Sequence, residues 1–456
     1  MRKTVVIDVV GLSPSLIGKH TPFLEQYIRK NHLNTIKPML PAVTTAVQST
    51  YVTGKWPADH GIVGNGWYDH EDAEIKFWKQ SNHLVQSEKI WDRARRLEPS
   101  FTVSKMFWWY NMYSSADYSV TPRPQYLSDG RKAPDCYAHP ASLRDHLQAK
   151  LGTFPLFQFW GPGANIKSTQ WIADASIETD RLYDPTLTLI YLPHLDYCLQ
   201  KFGNDFDKIG KELGEIDGVC KQLVEYYESK GAKLIFLSEY GITNVKQPVH
   251  INRILREEGL IAVREERGTE LLDAAASKAF AVSDHQVAHV YVNDASVCKK
   301  VRAILESVPG VDKVLDRDGK RQHHLHHGRA GDFVLVADQQ SWFTYYYWLD
   351  DNRAPDFARI VDIHRKPGYD PVEMFMNPAD PFVKLKAGFK LLKKKLGFRY
   401  LMNVIPLDAT LIKGSHGSVD TPAQFHPILV TPESTGDSEI AATEVYNLIW
   451  KTMTGE

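Results

Sequence analysis

Apolar residues gather along the chain in short unbroken runs separated by amphipathic stretches, and that alternation predicts a layered α/β protein. Residues 4–10, TVVIDVV, read as a strand buried on both faces, followed by a turn at Gly11 and a helix through FLEQYI. Runs of the same kind recur at Phe101–Met106, Leu187–Leu192 and Lys233–Leu237, near helical patterns such as IGKELGEIDGVCKQLVEYYESKG. Strands alternating with helices predict a doubly wound, mostly parallel central sheet with helices on both faces. Ligands of such sheets bind outside the carboxyl ends of the strands. The loops to search are therefore those after Gly11, at 194–200 and at Ser238–Thr243.

Between about 275 and 345 the texture changes to VAHVYVND, ASVCKKVRAILESVPGVDKVL and GDFVLVAD. Strand, amphipathic helix and strand in a compact run predict a small α/β cap inserted in the main domain. The expected organisation is a core of residues 1–245 plus 405–456, with 246–404 forming the inserted cap and its connecting segments. Within the latter, FVKLKAGFKLLKKKLGFRYL reads as a basic amphipathic helix. Packing against the core as a surface helix is the first expectation, and a weak membrane-surface contact through 382–400 is the alternative.

Composition narrows the function classes. The chain has 456 residues, 43% of them apolar, enough for one large core or two. Its formal charge of −1 provides no global field toward nucleic acid or lipid, so an anionic ligand must be held by a local site. Cys136, Cys198, Cys220 and Cys298 form no CxxC pair, which argues against a zinc knuckle or a disulfide framework and fits a reducing, cytoplasmic setting. The opening MRKTVVIDVVGLSPSLIG is short and interrupted by Asp8, so it reads as a strand rather than a signal segment. No stretch approaches the roughly 20 apolar residues of a membrane span.

The densest chemical signal is AVTTAVQSTYVTGKWPADHGIVGN, residues 42–65. On its own, Thr44 reads as a cap for a helix beginning TAVQSTYV. The block VTGKWPADHGIVGNGWYD, however, resembles the pattern VTGxxPxxHGIxxNxxYD of the type I phosphodiesterase/nucleotide pyrophosphatase family of the alkaline phosphatase superfamily, and is also similar to phosphonoacetate hydrolases. The resemblance implies an alkaline-phosphatase-like core, a threonine nucleophile at Thr44 and a phosphoryl-oxygen donor at Asn65. A threonine hydroxyl at a helix N-terminus suits that role, because backbone N–H groups there face an anion and a neutral amide can bind developing charge.

The resemblance also implies two zinc ions held by Asp and His side chains from several strand ends. Here the family's pattern is broken. Its first-strand Asp falls on Val10, its DxxxH segment reads DYCLQ with Asp196 kept and Gln200 in place of His, and its SDHG reads SEYG, giving Glu239 and Tyr240. The final HG is kept at His416. One expectation is a rebuilt centre in which Asp196, Glu239 and His416 hold a divalent metal, zinc or manganese/magnesium, with Asp8, His194 or His285 contributing. Asp8 is expected to share the side of its strand with Val10. The other expectation is a metal-free site.

Further residues fill in the pocket. His285 is expected to point at the site from the cap, whereas His289 in the alternating VAHVYV is expected to be structural. His194, His285 and Arg365, the last from HRKPGYDP beside Lys366, are candidate substrate-binding residues. The RQHHLHHGRAGD tract at 321–332 reads as a polar loop, with metal binding as the alternative. The aromatic clusters FWWYNMY and WFTYYYW are expected to be mostly core, with some rings lining a pocket wall for an organic group.

The functional expectation is a divergent phosphodiesterase- or pyrophosphatase-type hydrolase acting on a small phosphate ester, anhydride or phosphonate, with no nucleic-acid partner. The alternative is a metal-free relative acting as a non-hydrolytic transferase or phosphate-ligand binding protein in a biosynthetic pathway. The sequence leaves oligomeric state open.

Overall fold

The computed structural model describes residues 1–398 and 400–456. Arg399, within the stretch considered for membrane contact, lies outside the described residues.

Among the described residues, a sheet of nine strands forms the centre. Chain order first gives β1 (Thr4–Val9), β2 (His32–Lys37), β3 (Val103–Met106), β4 (Tyr118–Pro122), β5 (Cys136–His139), β6 (Leu187–Leu192) and β7 (Lys233–Leu237). Four cap strands follow, β8 (Ala279–Asp284), β9 (Val287–Val292), β10 (Val311–Leu315) and β11 (Phe333–Ala337), before β12 (Ile428–Thr431) and β13 (Glu439–Ala441) return to the central sheet. Its spatial order is β13-β2-β12-β7-β1-β6-β3-β4-β5. The run β7-β1-β6-β3-β4 is parallel, and β12 and β5 pair antiparallel to their neighbours.

The main helices are α1 (Pro22–Lys30), α2 (Thr44–Thr53), α3 (Ile166–Tyr183), α4 (His194–Phe202), α5 (Phe206–Ser229), α6 (Cys298–Ser307), α7 (Val383–Lys395) and α8 (Glu444–Thr454). The period-2 alternation of β1 sorts them onto two faces. Val5, Ile7 and Val9 pack with Ile172 of α3 and Leu213 and Leu223 of α5, while Val6 packs with Val47 and Tyr51 of α2 and Ile449 of α8. Asp8 has the parity of Val6, so it faces α2. Val10 lies past the end of β1 and packs in the cluster of Val9, so the two residues do not share a side as expected.

Helix α2 is buried along all ten of its residues, which explains why its sequence shows no amphipathic stripe. Its polar side chains are satisfied locally. Ser49 Oγ donates to the Thr45 carbonyl at 2.7 Å, Thr53 Oγ1 to the Ser49 carbonyl at 2.6 Å, and Thr45 Oγ1 to the Gly64 carbonyl at 2.8 Å.

The cap is an antiparallel sheet ordered β8-β9-β11-β10, with α6 linking β9 to β10. One face, with Val287, Val334 and Val336, shares a hydrophobic cluster with Val43 and Val47 of α2. The other, with Val290 and Leu335, buries Trp342 and the run Tyr345–Trp348. The 342–348 aromatics are thus core, fully enclosed rather than facing a pocket.

Candidate active site

Loops from the ends of β1, β6 and β7, the start of α2 and the cap hairpin converge on Thr44. Thr44 is the first residue of α2, and Val43 before it supplies no side-chain cap bond. Its hydroxyl lies 3.1 Å from the Tyr240 hydroxyl and close to the Glu239 carboxylate, whose Oε2 has no hydrogen-bond partner. Tyr240 donates to Asp196 Oδ1 at 3.2 Å. Gln200 Nε2 donates to the other oxygen of Asp196 at 2.8 Å, and Tyr369 OH donates to Gln200 Oε1 at 2.9 Å.

The loop after β7 must come very close to the chain's last return to the sheet for this to form. At Gly241 a Cβ would overlap the Phe425 carbonyl, so only glycine fits beside Tyr240.

Four rings stack in a column: Tyr240 on His416 with centroids 3.5 Å apart, His416 on His285 at 3.8 Å, and His285 on Tyr369 at 3.7 Å. His416 Nδ1 donates to the Ala42 carbonyl at 2.7 Å, which leaves Nε2 as a lone pair, and that atom has no hydrogen-bond partner. Burial pulls both histidines well below their usual pKa, so both are neutral. His285 Nδ1 meets Asp284 Oδ1 at 2.8 Å. Asp284 in turn accepts from the Asn65 backbone N–H at 2.9 Å and from Asn65 Nδ2 at 3.1 Å, while Asn65 Oδ1 accepts from the Thr45 N–H. One hydrogen of the Asn65 amide is therefore committed to Asp284.

Behind Thr44, Gln48 Nε2 donates to Glu239 Oε1 at 2.5 Å and to Asp8 Oδ2 at 3.4 Å, and its own oxygen accepts from the Trp109 N–H at 2.7 Å. Burial raises the carboxyl of Glu239 to about 7. Burial and the adjacent Glu239 push Asp8 well above its usual range. Burial likewise lifts Asp196 to about 7 against the opposing hydrogen bonds from Gln200 and Tyr240.

The two-ion arrangement implied by the resemblance does not fit these residues. Val10 sits in an apolar cluster, Gln200 is engaged at both ends of its amide, and the Tyr240 hydroxyl stands between Thr44 and Asp196. The single-ion set of Asp196, Glu239 and His416 is not assembled either. Asp196 Oδ1 and His416 Nε2 are 3.7 Å apart, but Glu239 is turned to Gln48 and Asp8. Among the described residues, three ligand atoms meet within 4.8 Å of one another at His194, Glu212 and Glu215.

That cluster lies on the other side of α4. His194 Nε2 is 2.7 Å from Glu212 and 3.5 Å from Glu215 of α5. His194 and Asp196 are two residues apart on a helix and so leave it on different sides. His194 therefore faces α5 instead of a substrate at Thr44. Arg365 is also elsewhere, exposed and paired with Asp356 at 3.5 Å. Its neighbour Lys366 is buried, holding Asp370 and Glu373 at 2.7 Å each. His289 is bonded to the Val63 carbonyl and the Gly331 N–H. The histidine tract at 321–332 fastens the loop after α2, with His324 stacked on Trp56 and Arg329 donating to the Gly61 and Leu84 carbonyls.

Sequence reasoning missed five neighbours of the site. Gln48 is one helical turn after Thr44 and was visible in that spacing, and Asp284 precedes His285. Tyr369, Trp78 and Trp160 carry no motif. Half-buried Trp78 and Trp160 flank Tyr369 at 6.1 and 5.7 Å, and Trp78 continues to Trp109 at 4.9 Å, which makes an aromatic wall beside the column.

Comparison with known proteins agrees with this architecture. The sequence model of the family described as type I phosphodiesterase / nucleotide pyrophosphatase matches residues 4–370. Ectonucleotide pyrophosphatase/phosphodiesterases 2 and 1 of Saccharomyces cerevisiae are 24% identical over 267 residues and 25% identical over 276 residues, covering 53% and 54% of this chain. The matches take in 48% and 35% of those proteins, so the chain spans less than half the length of these relatives. Among solved structures, an inactive threonine-to-alanine variant of murine ectonucleotide pyrophosphatase/phosphodiesterase 5 in complex with AMP superposes with a TM-score of 0.60 at 16% identity, covering 100% of this chain and 95% of that one. Phosphonoacetate hydrolase from Sinorhizobium meliloti with phosphonoformate gives 0.59 at 14% identity, covering 99% and 96%. The fold is alkaline-phosphatase-like, as in these two neighbours.

Proposed function

The chain belongs to the type I phosphodiesterase / nucleotide pyrophosphatase family, and from that premise we propose that it hydrolyses a small phosphodiester, pyrophosphate or phosphonate through Thr44. The observation that carries the reading is the position of the Thr44 hydroxyl, at a helix N-terminus and between the Glu239 carboxylate and the Tyr240 phenol.

In the first step Thr44 Oγ1 bonds to phosphorus as the bond to the leaving oxygen breaks. The threonine proton passes to Glu239, and the leaving oxygen takes a proton from water. The resulting hydroxide then attacks phosphorus and releases Thr44, which recovers its proton from Glu239. Tyr240, braced by Asp196, positions the threonine oxygen. The second Nδ2 hydrogen of Asn65 serves the phosphoryl oxygens. Trp78 and Trp160 suit an aromatic organic group on the phosphate, and the AMP bound by one structural neighbour supports a ligand with such a group. Because the donors around Thr44 do not assemble an ion set, no metal enters these steps. Among the described residues, His194, Glu212 and Glu215 are the group that could hold a divalent ion, zinc or manganese/magnesium.

The test is turnover of a nucleoside phosphodiester by the native chain and by Thr44→Ala, with AMP binding measured in parallel. Loss of turnover by at least about 10³-fold with AMP binding retained supports the hydrolase. Unchanged turnover in the variant overturns it. The replacement of family ligands by Val10, Gln200 and Tyr240 favours a second reading, a phosphate-ligand binder or non-hydrolytic transferase. Binding of AMP by a native chain without turnover selects that reading.

A further inference from the structure

Helix α7 carries an apolar stripe that the fold does not use. Taking about 100° per residue, Leu385, Phe389, Leu392 and Leu396 fall on one side of the helix, and they are 72%, 59%, 51% and 64% exposed. Val383 and Ala387, on the opposite side, are buried and pack in the cap cluster with Val404 and Ile405. The helix is thus docked by a two-residue edge and turns its larger apolar side chains to solvent, against the expectation that it packs on the core. Phe382, Phe398 and Leu401, all at least half exposed, extend the patch beyond both ends.

Lysines flank the stripe, and one of them, Lys386, is paired with Asp380 at 2.6 Å. Lys384, Lys386, Lys390, Lys393, Lys394, Lys395 and Arg399 fall between residues 382 and 401, and no Asp or Glu occurs from Pro381 to Leu407. The rest of the chain must therefore be net acidic, since the whole carries −1. On the helical wheel Lys384 and Lys395 border one edge of the stripe, and Lys386 and Lys393 the other. Soluble surfaces rarely leave contiguous apolar patches of this kind unpartnered.

We propose that α7 lies flat on an anionic lipid surface, its leucines and phenylalanines entering the headgroup boundary and its lysines meeting lipid phosphates. Lysine stems on both sides of the stripe can lie along the apolar boundary while their ammonium groups stay at headgroup depth. Pairing with a second copy would set one lysine-rich segment against another, which like charge opposes. The 13-residue helix is about 20 Å long, too short to span a bilayer, and among the described residues no helix is long and apolar enough to cross one.

The experiment is sedimentation of the full chain with phosphatidylcholine vesicles with and without phosphatidylglycerol, across salt. Binding is expected only with phosphatidylglycerol, and at about 0.5 M salt, where screening reaches a few ångströms, it is lost. Replacing Lys386, Lys390 and Lys393 with Gln lowers the partition coefficient about 100-fold, roughly fivefold per charge. Leu385→Glu with Leu392→Glu abolishes binding, and unchanged melting temperatures verify that each variant folds. The proposal is overturned if the native chain stays in the supernatant with anionic vesicles or if binding is indifferent to these substitutions. It is also overturned if the native chain self-associates through α7 in place of binding lipid, so that the glutamate variant alone is monomeric.

Discussion

A phenol has one hydrogen to give, and Tyr240 gives it to Asp196, so in the 3.1 Å contact the Thr44 hydroxyl is the donor and the phenol oxygen the acceptor. Tyr240→Phe is expected to retain the ring stack on His416 and lose only this brace. Turnover should fall about 10- to 100-fold with an unchanged melting temperature, as steady-state kinetics and thermal unfolding will report. Lys105 makes a second prediction. Its Nζ donates to the Trp109 and Tyr110 carbonyls beneath the aromatic loop, and burial pulls its pKa down to about 7. The unfolded chain holds that proton up to about pH 10.4, so between about 7 and 10.4 it binds more protons than the native state and stability rises with pH. Lys105→Met should flatten that rise in denaturant titrations across the window. At this scale Thr44, Asp196, Glu239 and His416 were legible as neighbours because each follows a strand end. Tyr369 and Trp160 were not, since a ring that arrives from a distant loop leaves no spacing to read.

Elements, not single residues, decide how the Thr44 helix is held. Helix α2 passes between the central sheet and the cap, and its polar residues satisfy one another along the backbone, so its sequence resembles neither a surface helix nor an apolar core helix. Its neighbour, the loop after β7, depends on close backbone approach. Gly241→Ala is expected to force that loop from Phe425, lower the melting temperature measurably by a cost of about 1–3 kcal/mol, and reduce turnover even though no reacting group is altered. The strand runs and the βα alternation were readable from unbroken apolar stretches. The edge strands β5 and β13 were not, because they are short and half-exposed.

For the whole molecule, family membership and fold agree. The glycines Gly11, Gly54, Gly241 and Gly417 stand in the motifs that made the resemblance visible in sequence, and hydrogen bonds engage Gln200 and Tyr240 where the resemblance implied ligands. Treatment with a chelator is therefore expected to leave diester turnover unchanged, and removal of zinc or manganese should at most alter stability through the α4–α5 seam. Loss of turnover restored by added zinc would overturn the Thr44–Glu239 route. The strands and helix of residues 279–337 were readable from the change of texture, but their shared cluster with α2 was not, since no local pattern records which side of a sheet a distant helix will meet.

The ring column interleaves two parts of the chain: Tyr240 and His416 come from loops of the central sheet, His285 and Tyr369 from the inserted segment. In terms of exchange between proteins, this makes residues 246–404 and the central sheet a single unit. A cap exchanged for that of a relative would bring rings that do not match the host's pair, so productive chimeras should carry all four aromatic positions together. Drift at any one of them is then restrained by the other three, even where none of the four is adjacent in sequence.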